Sequence, residues 1–164
     1  MSPEGTTLGN TGAMMGSTLT NLAYHVIFST KNREPLIVPR IRDELFRYMG
    51  GIVKGEGGIL LQIGGIPDHV HMVIKLKPAH TLSEIMQKVK GGSSKWVNEQ
   101  KRLSGRFAWQ DGYGAFTVSE SQIPAVIQYV REQEKHHRNR SFKDEFIRIL
   151  ERHGVEYDDR YLWT

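Results

Sequence analysis

The chain has 164 residues, 22 Lys and Arg against 18 Asp and Glu for a formal charge of +4, and no cysteine. That length suits one domain with its own apolar core. The lack of cysteine excludes disulfide scaffolds, thiolate zinc fingers, iron–sulfur clusters and cysteine nucleophiles.

Residues 1–20 are rich in Gly, Ser, Thr and Met, without periodicity, and read as a flexible leader ahead of a single domain at 21–164. Leu22, Tyr24, Val26 and Phe28 alternate on one face, which predicts a strand. Pro39 suits the first turn of a helix to about Lys54, with Ile41, Leu45, Tyr48 and Ile52 at helical spacing and GEGG as its stop. Strands at Ile59–Ile66 and Val70–Leu76 flank a tight turn at Pro67-Asp68. Thr81 and Glu84 form a capping box for a helix through Trp96, with Gly91-Gly92 as a bend or a place for close backbone approach. AFTVS is the last strand. A helix from Ile123 to His137 and an amphipathic helix ending at Gly154 follow. This order is the α+β, ferredoxin-like split βαβ pattern: an antiparallel sheet with helices on one face, plus a C-terminal tyrosine-bearing helix.

Two patterns carry chemistry. In Asp68-His69-Val70-His71 the two imidazoles lie two residues apart on a strand and share a face. Such a pair serves either as divalent-metal ligands, with a third ligand from elsewhere, or as two ordinary half-buried histidines. In PAVIQYVREQEKHHRNR, the residues Ile123, Val126, Ile127 and Val130 form an apolar stripe, and Tyr129, Gln133 and His136 share its flank. Tyr129 reads as a boundary residue or as a nucleophile, and Gln133 as a neutral oxygen ligand. His136 and His137 read either as solvent-facing or as aids to metal binding or proton transfer. No GxxxxGK[ST] occurs, so ATP use is not expected.

His69-Val70-His71 on an inner strand, followed far downstream by Tyr129-x-x-x-Gln133 on a helix, resembles the single-tyrosine HUH transposases of the insertion sequence 200/605 family. YHVIFSTKNREPL, GIPDHVHMVIKL, VKGGSSKWVN, WQDGYGAFTVSES and the run from Tyr129 to Trp163 extend the likeness over about residues 21–163. The resemblance implies an enzyme that cuts and rejoins single-stranded DNA at the ends of a mobile element through a 5′-phosphotyrosine. It implies Tyr129 as nucleophile and His69, His71 and Gln133 as ligands of Mg2+ or Mn2+. It also implies a homodimer that recognises imperfect DNA hairpins.

Lys31, Arg33, Lys88, Lys90, Lys95, Arg131, Lys135 and Arg138 are candidate phosphate contacts. Each reads equally as part of a solvated face. Trp109, Tyr113 and Phe116 are candidates for base stacking or for the core. The long first strand offers an edge for pairing with a twin. No apolar run nears the roughly 18 residues of a membrane span, and a cytoplasmic location is expected. Two other activities fit the same residues: a non-catalytic DNA or RNA hairpin-binding protein of the same fold, and a metal-dependent hydrolase of small phosphoesters.

Overall fold

The computed structural model describes residues 18–162; the leader read at 1–20 therefore lies outside the described residues except for 18–20. Strands β1 (Leu22–Ser29), β2 (Ile59–Ile66), β3 (His69–Leu76) and β4 (Gly114–Val118) form one sheet in the order β2-β3-β1-β4. Each neighbouring pair is antiparallel, as in the split βαβ pattern. Strand β1 is an interior strand. The edge pairing with a twin expected for it is ruled out, because β3 and β4 take both of its hydrogen-bonding sides.

Helices α1 (Pro39–Gly55) and α2 (Leu82–Gln100) cover one face of the sheet. Period-two alternation sends Val26, Phe28, Val70, Met72 and Ile74 toward them. The buried stripe of α1 is Ile41, Leu45, Met49 and Val53. Tyr48, expected in that stripe, instead stacks on Trp96 at the surface, ring centroids 5.0 Å apart. Gly57 adopts φ +88° and ends α1, with Gly58 N–H bonded to Val53 O at 2.9 Å and Gly57 N–H to Lys54 O at 2.9 Å. This is a Schellman stop, and the positive φ explains the glycine. Thr81 caps α2 by accepting from Glu84 N–H. The helix runs unbroken past Gly91-Gly92. Ser93 accepts a 2.9 Å bond from the indole N–H of Trp109, and Trp109 and Phe116 are core residues.

The opposite face of the same strands carries His25, Ile27, His69, His71 and, on β4, Phe116. It is covered by α3 (Ile123–Arg131), the single turn α4 (Gln133–His136) and α5 (Phe142–Arg152). The helix expected from Ile123 to His137 is interrupted at Glu132 (φ −97°, ψ 27°). Ser141 caps α5, with Asp144 N–H 3.2 Å from its hydroxyl. A second cluster, Ile27 and Phe116 with Phe142, Phe146, Ile149 and Leu150, holds α5 on the sheet. Among the described residues no helix is long and apolar enough to cross a membrane.

Helix α3 approaches β2 so closely that a Cβ at Gly64 would lie 2.2 Å from Val130 O. Gly64→Ala is therefore expected to cost about 1–3 kcal/mol as the helix is pushed off the strand. That corresponds to roughly 2–12 °C in thermal midpoint. Gly51→Ala, with nothing within 4 Å of its Cβ in α1, should leave the midpoint level or raise it. Calorimetry on both variants checks this; equal midpoints would contradict the close approach.

Candidate active site

Strand β3 supplies the centre of the site. His69 and His71 point to the helix-covered α3–α5 side because they lie two residues apart, while Val70 and Met72 enter the other core. Their outer nitrogens are oriented by neighbours. His69 Nδ1–H donates to Asp68 Oδ1 at 2.7 Å, and His71 Nδ1 lies 2.8 Å from Nε2 of His25 on β1. Partners of this kind fix ring orientation and leave Nε2 facing the site. Phe142 of α5 stacks on the His69 ring, centroids 4.0 Å apart.

The break at Glu132 is local, yet Gln133 stays beside Tyr129: its side-chain Nε2–H donates to Tyr129 O at 3.3 Å. Its Oε1 lies 3.1 Å from His69 Nε2. The tyrosine hydroxyl arrives from the same flank, and its ring stacks on His136, centroids 4.5 Å apart, with its edge toward His71. Thus the four residues singled out in the sequence, His69, His71, Tyr129 and Gln133, converge within one subunit.

Three further residues join them. Glu145 of α5 places Oε1 2.9 Å from His71 Nε2, 3.3 Å from His69 Nε2 and 3.2 Å from His137 Nε2. Its Oε2 accepts the Tyr129 hydroxyl. His137, read as solvent-facing or as an aid to the metal site, also meets Gln133 Oε1 at 3.1 Å and donates its Nδ1–H to Arg140 O at 2.7 Å. His25 completes the row of imidazoles on the sheet. A signal for Glu145 existed in the sequence: it sits on the stripe of α5 made by Phe142, Phe146, Ile149 and Leu150, where an unpaired acid is costly.

Burial sets the electrostatics. His69 and His71 are 0% exposed, Gln133 1% and Glu145 2%. Burial, with a smaller push from His71, lowers His25 to about 3. Burial also outweighs the pull of Glu145 and lowers His71 to about 4. Both rings are therefore neutral near pH 7, the state that ligates metals. Burial works against a charge on His69 too, but Asp68 and Glu145 outweigh it and raise that group. Burial opposes the Glu145 anion as well, yet hydrogen bonds from His137, His69 and His71 hold it far below the usual carboxylate range. Burial and the Glu145 charge raise Tyr129 well above an ordinary phenol, so it keeps its proton.

The donor set fits a divalent cation. His69, His71 and Glu145 bring ligand atoms within 4.8 Å of one another, and Gln133 adds a neutral oxygen. Two imidazole nitrogens with amide and carboxylate oxygens suit an ion of intermediate hardness. A cation would change the tautomers. With Glu145 Oε1 at His71 Nε2, the donors run from His25 to His71 to Glu145. A cation at that nitrogen requires the reverse, with His71 Nδ1–H donating to His25.

The basic residues distribute unevenly. Lys88 pairs with Glu56 at 2.8 Å and Lys95 lies 3.9 Å from Glu99. Lys90 is not the free cation expected. It donates to the carbonyls of Asp111 and Gly112 at 2.9 and 2.7 Å, and burial lowers it to about 8. All three belong to α2, across the sheet from the histidines, so the fold does not bring them to the site. Lys31 and Arg33 form an exposed turn after β1. Arg131, Lys135 and Arg138 are exposed on and after the tyrosine helix.

Comparison with known proteins gives the family. The family described as "Transposase IS200 like" matches residues 18–133. The ISDra2 transposase TnpA of Deinococcus radiodurans is 26% identical over 117 residues, covering 68% of this chain and 84% of that protein. The transposase for insertion sequence element IS200 of Salmonella typhimurium is 25% identical over 122 residues, covering 70% and 80%. A solved Deinococcus radiodurans transposase structure superposes with TM-score 0.59 at 26% identity, over 70% of this chain and 92% of that one. A REP-associated tyrosine transposase solved bound to a REP hairpin shares the fold, with TM-score 0.57 at 14% identity over 89% and 87%. The family match spans β1 to β4 and the tyrosine helix and includes both histidines of β3, Tyr129 and Gln133, so the chain belongs to the IS200-like transposases.

Proposed function

We propose that this transposase cuts and rejoins single-stranded DNA at the ends of a mobile element, with Tyr129 as nucleophile and a 5′-phosphotyrosine intermediate. His69, His71 and Gln133 hold Mg2+ or Mn2+, and Glu145 adds a carboxylate oxygen. The observation that carries this reading is the convergence of two imidazole Nε2 atoms and a phenol on one buried carboxylate, with the Gln133 amide oxygen 3.1 Å from the His69 Nε2. A purely binding protein needs none of these groups.

In the cleavage step the Tyr129 oxygen bonds to phosphorus and the bond to the 3′ oxygen breaks. That oxygen takes up a proton and leaves as a 3′-hydroxyl. Glu145 Oε2 accepts the hydrogen bond of the phenol and so orients the hydroxyl for attack. A later 3′-hydroxyl reverses the chemistry, so the energy of the phosphodiester is retained without ATP. A divalent cation in this cluster would polarise a phosphodiester oxygen and offset the Glu145 charge that keeps the phenol protonated.

The substrate in this reading carries a hairpin, as does the ligand of the REP-associated relative. The working form is a homodimer. With β1 interior, any sheet extension between copies falls to β2 or β4, and light scattering on the eluted protein tests the dimer. The chemistry is tested with a hairpin-bearing single strand and Mn2+ on a denaturing gel. A 3′ label should move with the protein, while a 5′ label should mark a shorter free fragment ending in a 3′-hydroxyl. A protein-sized shift of the 5′ label, or no shift of either, would overturn the proposal.

A further inference from the structure

We propose that the cleft beside Tyr129 grips the phosphate backbone of the single strand being cut, through Arg140, Arg148 and Arg152. The inference rests on the transposase reading above and adds residues that lie beyond the family match, which ends at 133.

The cleft has a volume of about 460 Å³ and opens between β4, α3 and α5. Tyr129 lies in its wall, together with the three guanidinium-bearing residues. The metal-ligand candidates themselves are buried, so this opening offers a strand a path to the phenol.

The charge on its walls is uncompensated. Glu145 is the one acid among the lining residues, and both of its oxygens are engaged by imidazoles and by Tyr129. Among the described residues none of Arg140, Arg148 and Arg152 forms an ion pair with a carboxylate. Arg148 and Arg152 stand one helical turn apart on α5, a like-charge spacing that disfavours the helix unless an anion bridges it. Arg140 acts electrostatically on the Tyr129 phenol from the same cleft. On the far face, by contrast, Lys88 is paired with a carboxylate and Lys90 is tied to backbone carbonyls. Unmatched guanidiniums around a nucleophile suit a run of phosphates, which arginine contacts bidentately.

The test measures binding of a fluorescent 20-nucleotide oligo(dT) in EDTA, against salt concentration, by anisotropy. Arg148→Ala and Arg152→Ala should each lower the slope of log affinity against log salt by about 0.7, and together by about 1.4. The double variant should bind the oligonucleotide at least tenfold more weakly at low salt. A blunt hairpin without a single-stranded tail should bind both proteins equally. Arg47→Ala with Lys54→Ala, the same charge change on exposed α1 positions across the sheet, should leave the slope unaltered. An unchanged slope in the arginine variants would overturn the proposal, and so would equal weakening in the α1 variant or for the blunt hairpin. These outcomes are independent of the covalent assay: a wild-type adduct with unchanged arginine slopes removes only the cleft, whereas a missing wild-type adduct removes the chemistry.

Discussion

Tyr129→Phe is expected to lower the covalent protein–DNA adduct by at least about a thousand-fold, to the background of the denaturing gel, the scale on which removing a covalent nucleophile acts. The substitution keeps the ring that stacks on His136 at 4.5 Å and removes only the hydroxyl that Glu145 accepts. Glu145 Oε1 keeps its three imidazole partners. Losing one donor to a buried carboxylate costs about 1–3 kcal/mol at most, so the variant should stay folded. Binding of the hairpin strand should persist within a few-fold, which separates lost chemistry from lost recognition. Adduct formation near the wild-type level would move the nucleophile away from Tyr129.

The second large effect concerns the cation. Mn2+ at a hundredfold excess over its Kd should stabilise the native protein by about 2.7 kcal/mol, because the ligand cluster exists only in the folded chain. For a chain of this size the thermal midpoint should then rise by roughly 5–10 °C. His71→Ala should abolish the rise, judged within the variant with and without Mn2+ after EDTA treatment, whatever its own midpoint. Glu145→Gln is the sharper substitution. It preserves shape and removes the charge that lies 2.9 Å from His71 and 3.3 Å from His69. A carboxylate ligand requires Mn2+ affinity to fall at least tenfold in a titration. An unchanged affinity would leave His69, His71 and Gln133 as the protein ligands and assign Glu145 to the phenol alone.

Much of the fold is written in short-range pattern. The alternation through Val26 and Phe28, the Pro67-Asp68 turn, the Thr81–Glu84 capping box and the Gly57 stop all appear where local chemistry calls for them. Two candidate pairs were legible for the same reason. His69 and His71 share a face because a strand repeats every two residues, and Tyr129 and Gln133 stay side by side despite the break at Glu132.

What periodicity does not carry is which faces meet. His25 lies 46 residues from His71, and Glu145 lies 74 from it, yet each is a direct partner. His137, read as solvent-facing or as an aid to the metal site, lies inward with its Nε2 3.2 Å from Glu145. The α2 lysines, read equally as phosphate contacts or a solvated face, lie across the sheet from the histidines. Residue spacing thus decided the elements, the shared face of the histidine pair and the family, since each is a property of a few neighbouring residues. Packing of α5 onto the second face of the sheet decided the carboxylate, the oriented imidazoles and the arginine-lined cleft, because those depend on side chains brought together across the folded chain.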